Sequence, residues 1–350
     1  MKVLILGVNG FIGSHLTEAI LAKTDWQITA IDIAQNNIKN YISHERFEFK
    51  FGDITKDQDW VKKQIENCNI VLPLVAIATP FTYVNDPLKV FELDFEANLK
   101  IIRHCVELKK RIIFPSTSEV YGMCHDEFFD EETSDLITGP INKERWIYSS
   151  SKQLLDRIIY AYGKHNGLSY TLFRPFNWYG PRLDDIFNPK RGGSRVLTQF
   201  IGNILRGEDI NLVNGGEQKR SFTYIDDGIN ALIKIIENKE QCAKQKIFNI
   251  GNPNENISIK DLAKALVSLI KGYPKYASNA ENTKLIDISS DEYYGKGYQD
   301  VVLRVPAIKK AKLHLDWEPL FDIRYGLKKT LDYYLEGSQP SDYNKNKETF

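Results

Sequence analysis

Along the chain, short apolar runs alternate with longer stretches whose apolar positions recur at helical spacing. The runs Lys2–Leu6, Gln27–Ile31, Arg46–Lys50, Ile70–Val75, Arg111–Phe114 and Thr171–Arg174 predict strands. The stretches Phe91–Leu108 and Ser149–Asn166 predict helices with apolar stripes. Short buried strands separated by helices imply an α/β fold with a doubly wound, Rossmann-like parallel sheet. After Pro175 the texture changes. Arg182–Gly193 reads as a loop, Val196–Arg206 as a helix and Ile210–Val213 as a short strand. Arg220–Asp227 returns to a strand-then-helix pattern, and Ile247–Ile250 is a further strand. Ser258–Ile270 predicts a helix with Ser258 as its N-cap. A smaller, discontinuous α+β lobe over the carboxyl ends of the strands follows from this order. Glu336–Phe350 is polar and reads as a flexible tail.

Composition narrows the class. The 350 residues suffice for two lobes, and 46 basic side chains balance 46 acidic ones. No excess charge favours nucleic acid or a membrane surface. The cysteines Cys68, Cys105, Cys124 and Cys242 have no metal-ligand spacing, and the histidines do not cluster, so no metal site is expected. Reduced thiols fit the cytoplasm. The chain starts at its first strand, with no signal peptide expected, and no apolar run approaches the about 20 residues of a membrane helix.

The first strand ends at Gly7 and a helical pattern opens at Phe11-Ile12, with Gly10 and Gly13 completing the turn. Such a turn presents backbone N–H groups and a helix dipole to a pyrophosphate. The second strand ends in Asp32, nineteen residues after Gly13. A carboxylate there holds ribose hydroxyls and repels a 2′-phosphate, which selects NAD over NADP. Further on, Phe114-Pro-Ser-Thr117-Ser118-Glu119-Val-Tyr121 brings hydroxyls and a carboxylate to a strand's carboxyl end. Tyr148 and Lys152 stand at i and i+4 on one helical face. An ammonium beside a phenol favours phenolate, so the Tyr148 pKa is expected to fall, and Tyr148 can take a proton from an alcohol while NAD takes the hydride. Tyr121 is expected to pack, and His125 and Asp126 to lie in a solvated loop.

With these residues in view, the chain resembles the extended short-chain dehydrogenase/reductase family that acts on nucleotide sugars. Gly7, Gly10 and Gly13 match its glycine turn; Thr117, Tyr148 and Lys152 match its triad; Gly52-Asp53-Ile54 matches the turn that meets the adenine. Phe173-Arg-Pro-Phe-Asn177-Trp-Tyr-Gly-Pro-Arg182 and Arg304-Val-Pro match further family segments. The family's 4,6-dehydratases carry Asp-Glu after the Thr, whereas here the pair is Ser118-Glu119, as in the UDP-glucuronic acid decarboxylases. Asn142–Arg157, Glu217–Arg220 and Tyr293–Val301 are similar to the oxidative decarboxylases of the polymyxin-resistance, or aminoarabinose, pathway, here as a stand-alone chain.

The resemblance implies NAD as cofactor and UDP-glucuronic acid as substrate, with C4 oxidation followed by loss of C6 as CO2 to give a UDP-4-keto-pentose. The alternatives are a UDP-xylose synthase, which re-reduces the ketone, and a UDP-sugar 4-epimerase. It implies Tyr148 as base, Thr117 as the group orienting the hydroxyl, Lys152 as the tuner of Tyr148, and Ser118 and Glu119 near the carboxylate. Arg304 is then a proton donor, the cation that steadies an enolate, or a diphosphate contact. NAD is assigned to Gly7, Gly10, Phe11, Ile12, Gly13, Asp32, Asp53, Ile54, Tyr148 and Lys152. Substrate is assigned to Ala78, Tyr83, Thr117, Ser118, Arg145, Asn177, Arg182, Asn211, Arg220 and Tyr298; Asn211 stands where the polymyxin-pathway enzymes carry Lys. Residues 1–176 and about 221–250 would form the NAD-binding domain, and about 177–220 and 251–335 the nucleotide-sugar domain. A homodimer through a four-helix bundle is expected.

Overall fold

A computed structural model describes residues 1–187, 194–295, 298–301 and 303–337. The fold is built on a parallel sheet of seven strands. They are β1 (Lys2–Leu6), β2 (Gln27–Asp32), β3 (Phe47–Phe51), β4 (Ile70–Pro73), β5 (Arg111–Pro115), β6 (Tyr170–Pro175) and β11 (Lys246–Ile250). Their order is β11-β6-β5-β4-β1-β2-β3. The winding reverses between β1 and β4, which opens a crevice beyond the carboxyl ends of these two strands. Leu4 is paired with Thr29 on one side and Val71 on the other, so β1 is central and buried on both faces.

Helices cover both faces, as a parallel sheet requires. One apolar core joins β1, β2, α1 (Phe11–Lys23) and elements of the second half of the chain. The other packs α2 (Gln58–Glu66), α5 (Asn98–Glu107) and α6 (Trp146–Asn166) on the opposite face. Between β4 and α5 lie two short helices, α3 (Pro80–Asn85) and α4 (Pro87–Phe91). The rest of the chain adds three two-stranded ribbons. They pair β7 (Trp178–Tyr179) with β10 (Thr223–Tyr224), β8 (Ile210–Val213) with β13 (Leu285–Ile288), and β9 (Lys219–Ser221) with β12 (Asn256–Ser258). Ser258 caps the helix Ile259–Ile270, its hydroxyl accepting from the Asp261 N–H at 3.0 Å.

One predicted element is different. The stripe read as a single helix over Phe91–Leu108 contains a π-helical turn at Glu92–Ala97 before α5 begins. The cause is tertiary. The Asp94 carboxylate accepts the Ile77 N–H at 2.8 Å, and the Asn98 amide donates to the Val75, Leu93 and Asp94 carbonyls. Both side chains point from the wide turn to the loop after β4. No helix among the described residues is long and apolar enough to cross a membrane, and they contain no cluster of metal-ligating side chains. The loop predicted at Arg182–Gly193 and the tail at Glu336–Phe350 lie partly outside the described residues.

Candidate active site

The turn after β1 is closed by main-chain contacts. Gly7 sits at φ +90°, where only glycine is free of strain, and a Cβ there would meet the Leu74 and Val75 main chain. A Cβ on Gly13 would come within 2.6 Å of the Gly7 carbonyl oxygen. Gly10 is the N-cap of α1, with Phe11 and Ile12 the first helical residues. Asp32 ends β2 and accepts the Asn9 N–H at 2.8 Å and the Ala34 N–H at 3.1 Å. Burial raises its pKa, and these N–H groups oppose the rise. Asp53 follows β3 and accepts from Thr55, while Ile54 is buried in the core. Glycines that leave no room for a side chain, a free helix N-terminus and a carboxylate at the second strand's end fit a dinucleotide.

Thr117, Ser118 and Glu119 follow β5, and α6 brings Tyr148 and Lys152 to the same place. All but Glu119 are less than a tenth exposed. Thr117 lies beside the Tyr148 phenol, whose ring stacks on Tyr83 with centroids 4.7 Å apart. Lys152 Nζ donates to the Pro115 carbonyl at 3.0 Å and lies 6.0 Å from the Tyr148 ring centroid. The expected fall in the Tyr148 pKa is not what this arrangement produces. Burial raises it, and the Asp94 and Glu119 charges add to the rise. Lys152 is pulled down by burial and held up by Asp94 and Asp156.

A cluster of cations stands beside the triad. Glu119 accepts from Arg145 Nη2 at 2.6 Å and Arg304 Nη1 at 2.7 Å. Burial alone would raise the Glu119 carboxyl, but Arg304 and Arg145 outweigh it and hold it at about 2. Arg304 is lowered by burial and held up by Glu119; its Nη1 also lies 3.5 Å from the Ser118 hydroxyl. Arg145 is sandwiched between the rings of Trp146 and Tyr298, 4.4 Å and 5.4 Å from their centroids. Arg220 Nη2 pairs with Asp300 at 2.7 Å, and the Tyr298 hydroxyl donates to the same oxygen. Three guanidinium groups thus face two carboxylates. Arg145 Nε, Arg145 Nη1 and Arg304 Nε are buried with no hydrogen-bond partner, an arrangement that favours an anionic ligand.

The sequence matches the profile of the NAD dependent epimerase/dehydratase family over residues 3–251. The chain belongs to that family. A crystal structure of the PbgP3 protein from Burkholderia pseudomallei shares 52% identity, covers 96% of each chain and superposes with a TM-score of 0.88. UDP-glucose 4-epimerase from Thermotoga maritima has the same fold at 23% identity and a TM-score of 0.77, over 96% of this chain and 99% of its own. So does UDP-glucuronic acid 4-epimerase from Bacillus cereus, solved in complex with UDP-glucuronic acid and NAD. It shares 23% identity with a TM-score of 0.76, over 97% of this chain and 100% of its own. NAD is the cofactor of the family, and the turn after β1 fits it.

Other predicted positions fall as follows. Ala78 lies in the loop after β4, and Tyr83 on α3. Asn177 turns the chain after β6 at φ +39° and donates to the Ser221 carbonyl, next to Arg220. Asn211 lies on β8, opposite Ile286 of β13. Arg182 stands apart from the arginine cluster: its guanidinium bonds Glu18 at 2.6 Å and His15 Nδ1 at 2.8 Å, both on α1. Tyr121 packs, as expected, bonding Asn249 and Arg174, and His125 and Asp126 are exposed. Asp94 and Asp300 are not singled out by the sequence. The neighbouring Tyr298 could have flagged Asp300; Asp94 carries no such signal.

Proposed function

We propose that the chain is an NAD-dependent UDP-glucuronate decarboxylase that oxidises the sugar at C4, removes C6 as CO2 and gives a UDP-4-keto-pentose. The observation that supports this reading is the pairing of Glu119 with Arg145 and Arg304 one residue from Ser118 and two from Thr117. A sugar acid brings a carboxylate, and these arginines hold spare buried donors that a carboxylate can take.

Gly7, Gly10, Gly13 and Asp32 would hold NAD, which when bound supplies the acceptor for the C4 hydride. Tyr148 would take the hydroxyl proton as phenolate, a form that burial disfavours here and that the Lys152 ammonium and the positive charge of bound NAD would have to favour, with Thr117 orienting the hydroxyl. A ketone at C4 lies β to the C6 carboxylate, so the C5–C6 bond breaks with its electrons accepted as an enolate, which then takes a proton at C5 from solvent water to give the keto-pentose. Arg304 and Arg145 steady that negative charge. Electrostatic stabilisation suits Arg304 better than proton donation, because a guanidinium is a weak acid. Glu119 remains ionised and fixes both guanidinium groups. Arg220 would grip the diphosphate by exchanging Asp300 for it, with Tyr83, Tyr298, Asn177 and Asn211 around the nucleotide sugar. The product settles the branch: a keto-pentose with NADH formed one-for-one supports this reading, whereas xylose without net NADH indicates re-reduction and an epimerised hexuronate without CO2 overturns it.

A further inference from the structure

Asn9 is a buried polar residue in the turn after β1, between Gly7 and Gly10, and the functional reading leaves it without a task. Its polar atoms are all engaged with one segment, the residues from Asp32 to Asn37 at and beyond the end of β2. The main-chain N–H donates to Asp32 Oδ2 at 2.8 Å, and the main-chain carbonyl accepts from Asn37 Nδ2 at 2.9 Å. The side-chain Oδ1 accepts the Asn37 N–H at 2.7 Å, and Nδ2 donates to Asn36 Oδ1 at 2.9 Å. A carboxamide carries an acceptor and a donor side by side, so Asn9 holds a main-chain N–H and a side-chain oxygen of the facing loop at once.

The segment held in this way carries the carboxylate that would meet the adenosine ribose. Asp32 is fixed at both oxygens, Oδ2 by the Asn9 N–H and Oδ1 by the Ala34 N–H at 3.1 Å. At the far end of the loop Ile38 is fully buried in the core, and its N–H donates to the Gln35 carbonyl at 3.2 Å. Between these anchors Ile33, Gln35 and Asn36 are exposed. Asn9 ties that stretch to the glycine turn. Rejecting a 2′-phosphate takes more than a negative charge. A carboxylate free to swing aside, on a loop free to open, would admit the phosphate at little cost. A carboxylate held at both oxygens, on a clamped loop, keeps its charge where the phosphate must go.

We propose that Asn9 is a specificity-determining positioning residue: it clamps the loop after β2 to the glycine turn, holds Asp32 against the adenosine ribose, and so sets how strongly the site prefers NAD to a dinucleotide bearing a 2′-phosphate. The inference rests on the assignment of Asp32 to that ribose and is independent of the reaction that follows.

The test is equilibrium binding of NAD and NADP, without nucleotide sugar, to the wild type and to Asn9→Ala. The variant loses the two side-chain bonds and keeps both main-chain ones, with Asp32 in place. NAD affinity should fall by about three- to tenfold, while NADP affinity falls less or rises, so that the preference narrows by about threefold or more. A loss shared equally by both dinucleotides, or an unchanged ratio, overturns the proposal, because a merely structural residue would weaken both alike. A wild type that binds both equally overturns it together with the assignment of Asp32. Amide exchange reads the clamp itself: the Asn37 N–H should be protected in the wild type and exchange at least about tenfold faster in Asn9→Ala, and equal exchange overturns the proposal. Should Asn9→Ala fail to fold, Asn37→Ala serves, since it removes only the bond from Asn37 Nδ2 to the Asn9 carbonyl and the contact with Asn36. The preference should then narrow by about twofold or more, and an unchanged preference overturns the proposal. These readouts need no UDP-glucuronate, so a failure here is separate from a failure to release CO2.

Discussion

Glu119 and Arg304 form a buried ion pair, Oε1 to Nη1 at 2.7 Å, across 185 positions of sequence. Held at about 2, the carboxyl is ionised at every pH at which the enzyme can work. Glu119→Gln should therefore slow CO2 release by about 100-fold or more while NAD still binds, because the two guanidinium groups lose their common anchor. Carbon dioxide evolution and NAD titration check the two halves; equal loss of both would mean a folding defect instead.

The same pair makes a stability prediction. The folded pKa of Glu119 is below its unfolded value of about 4.3, so the pair contributes stability above that value and loses it as pH falls towards about 2. The difference in unfolding free energy between the wild type and Glu119→Gln should be largest near neutrality and shrink on acidification through that window. Denaturant titrations across that range measure it.

Tyr148→Phe keeps the stacking on Tyr83 and removes the hydroxyl beside Thr117. NADH formation with UDP-glucuronate should fall by about 100- to 10,000-fold, with NAD affinity changed only a few-fold. Absorbance of NADH and equilibrium binding of NAD separate the effects.

Asp32→Ala removes the carboxylate that ends β2. The preference for NAD over NADP should narrow by at least about tenfold, since the charge that repels a 2′-phosphate is gone. Competition between the two dinucleotides reads it out.

Gly13→Ala places a methyl 2.6 Å from one carbonyl oxygen and 2.7 Å from another, whereas Gly10→Ala meets one at 3.3 Å. The first should destabilise the fold by about 1–3 kcal/mol and the second by less. Thermal unfolding of both variants ranks them.

The parts of this site visible in the sequence are those fixed by local chemistry. The turn from Gly7 to Gly13 is legible because glycine spacing, a preceding strand and Asp32 must occur together to cradle a dinucleotide. Ser258 is legible as a cap because a hydroxyl before an apolar helical stripe has one common use. What stays hidden depends on distant partners. The stripe Phe91–Leu108 reads as one helix, and the π-turn exists because Asp94 and Asn98 reach back to the loop after β4. The Tyr148 pKa moves up because burial, with the Asp94 and Glu119 charges, outweighs Thr117 and Arg195, while the Lys152 ammonium bonds Pro115. Arg182 matches a family segment, yet its partners are His15 and Glu18 on α1. Asp300 becomes visible as the partner of Arg220 only once both are in place.

The most direct measurement follows a label at C6 of UDP-glucuronate incubated with the protein and NAD. Labelled CO2 and NADH are expected in equal amounts, with a UDP-4-keto-pentose left behind. Label that stays on the nucleotide sugar, with no CO2 evolved, would contradict the decarboxylase reading.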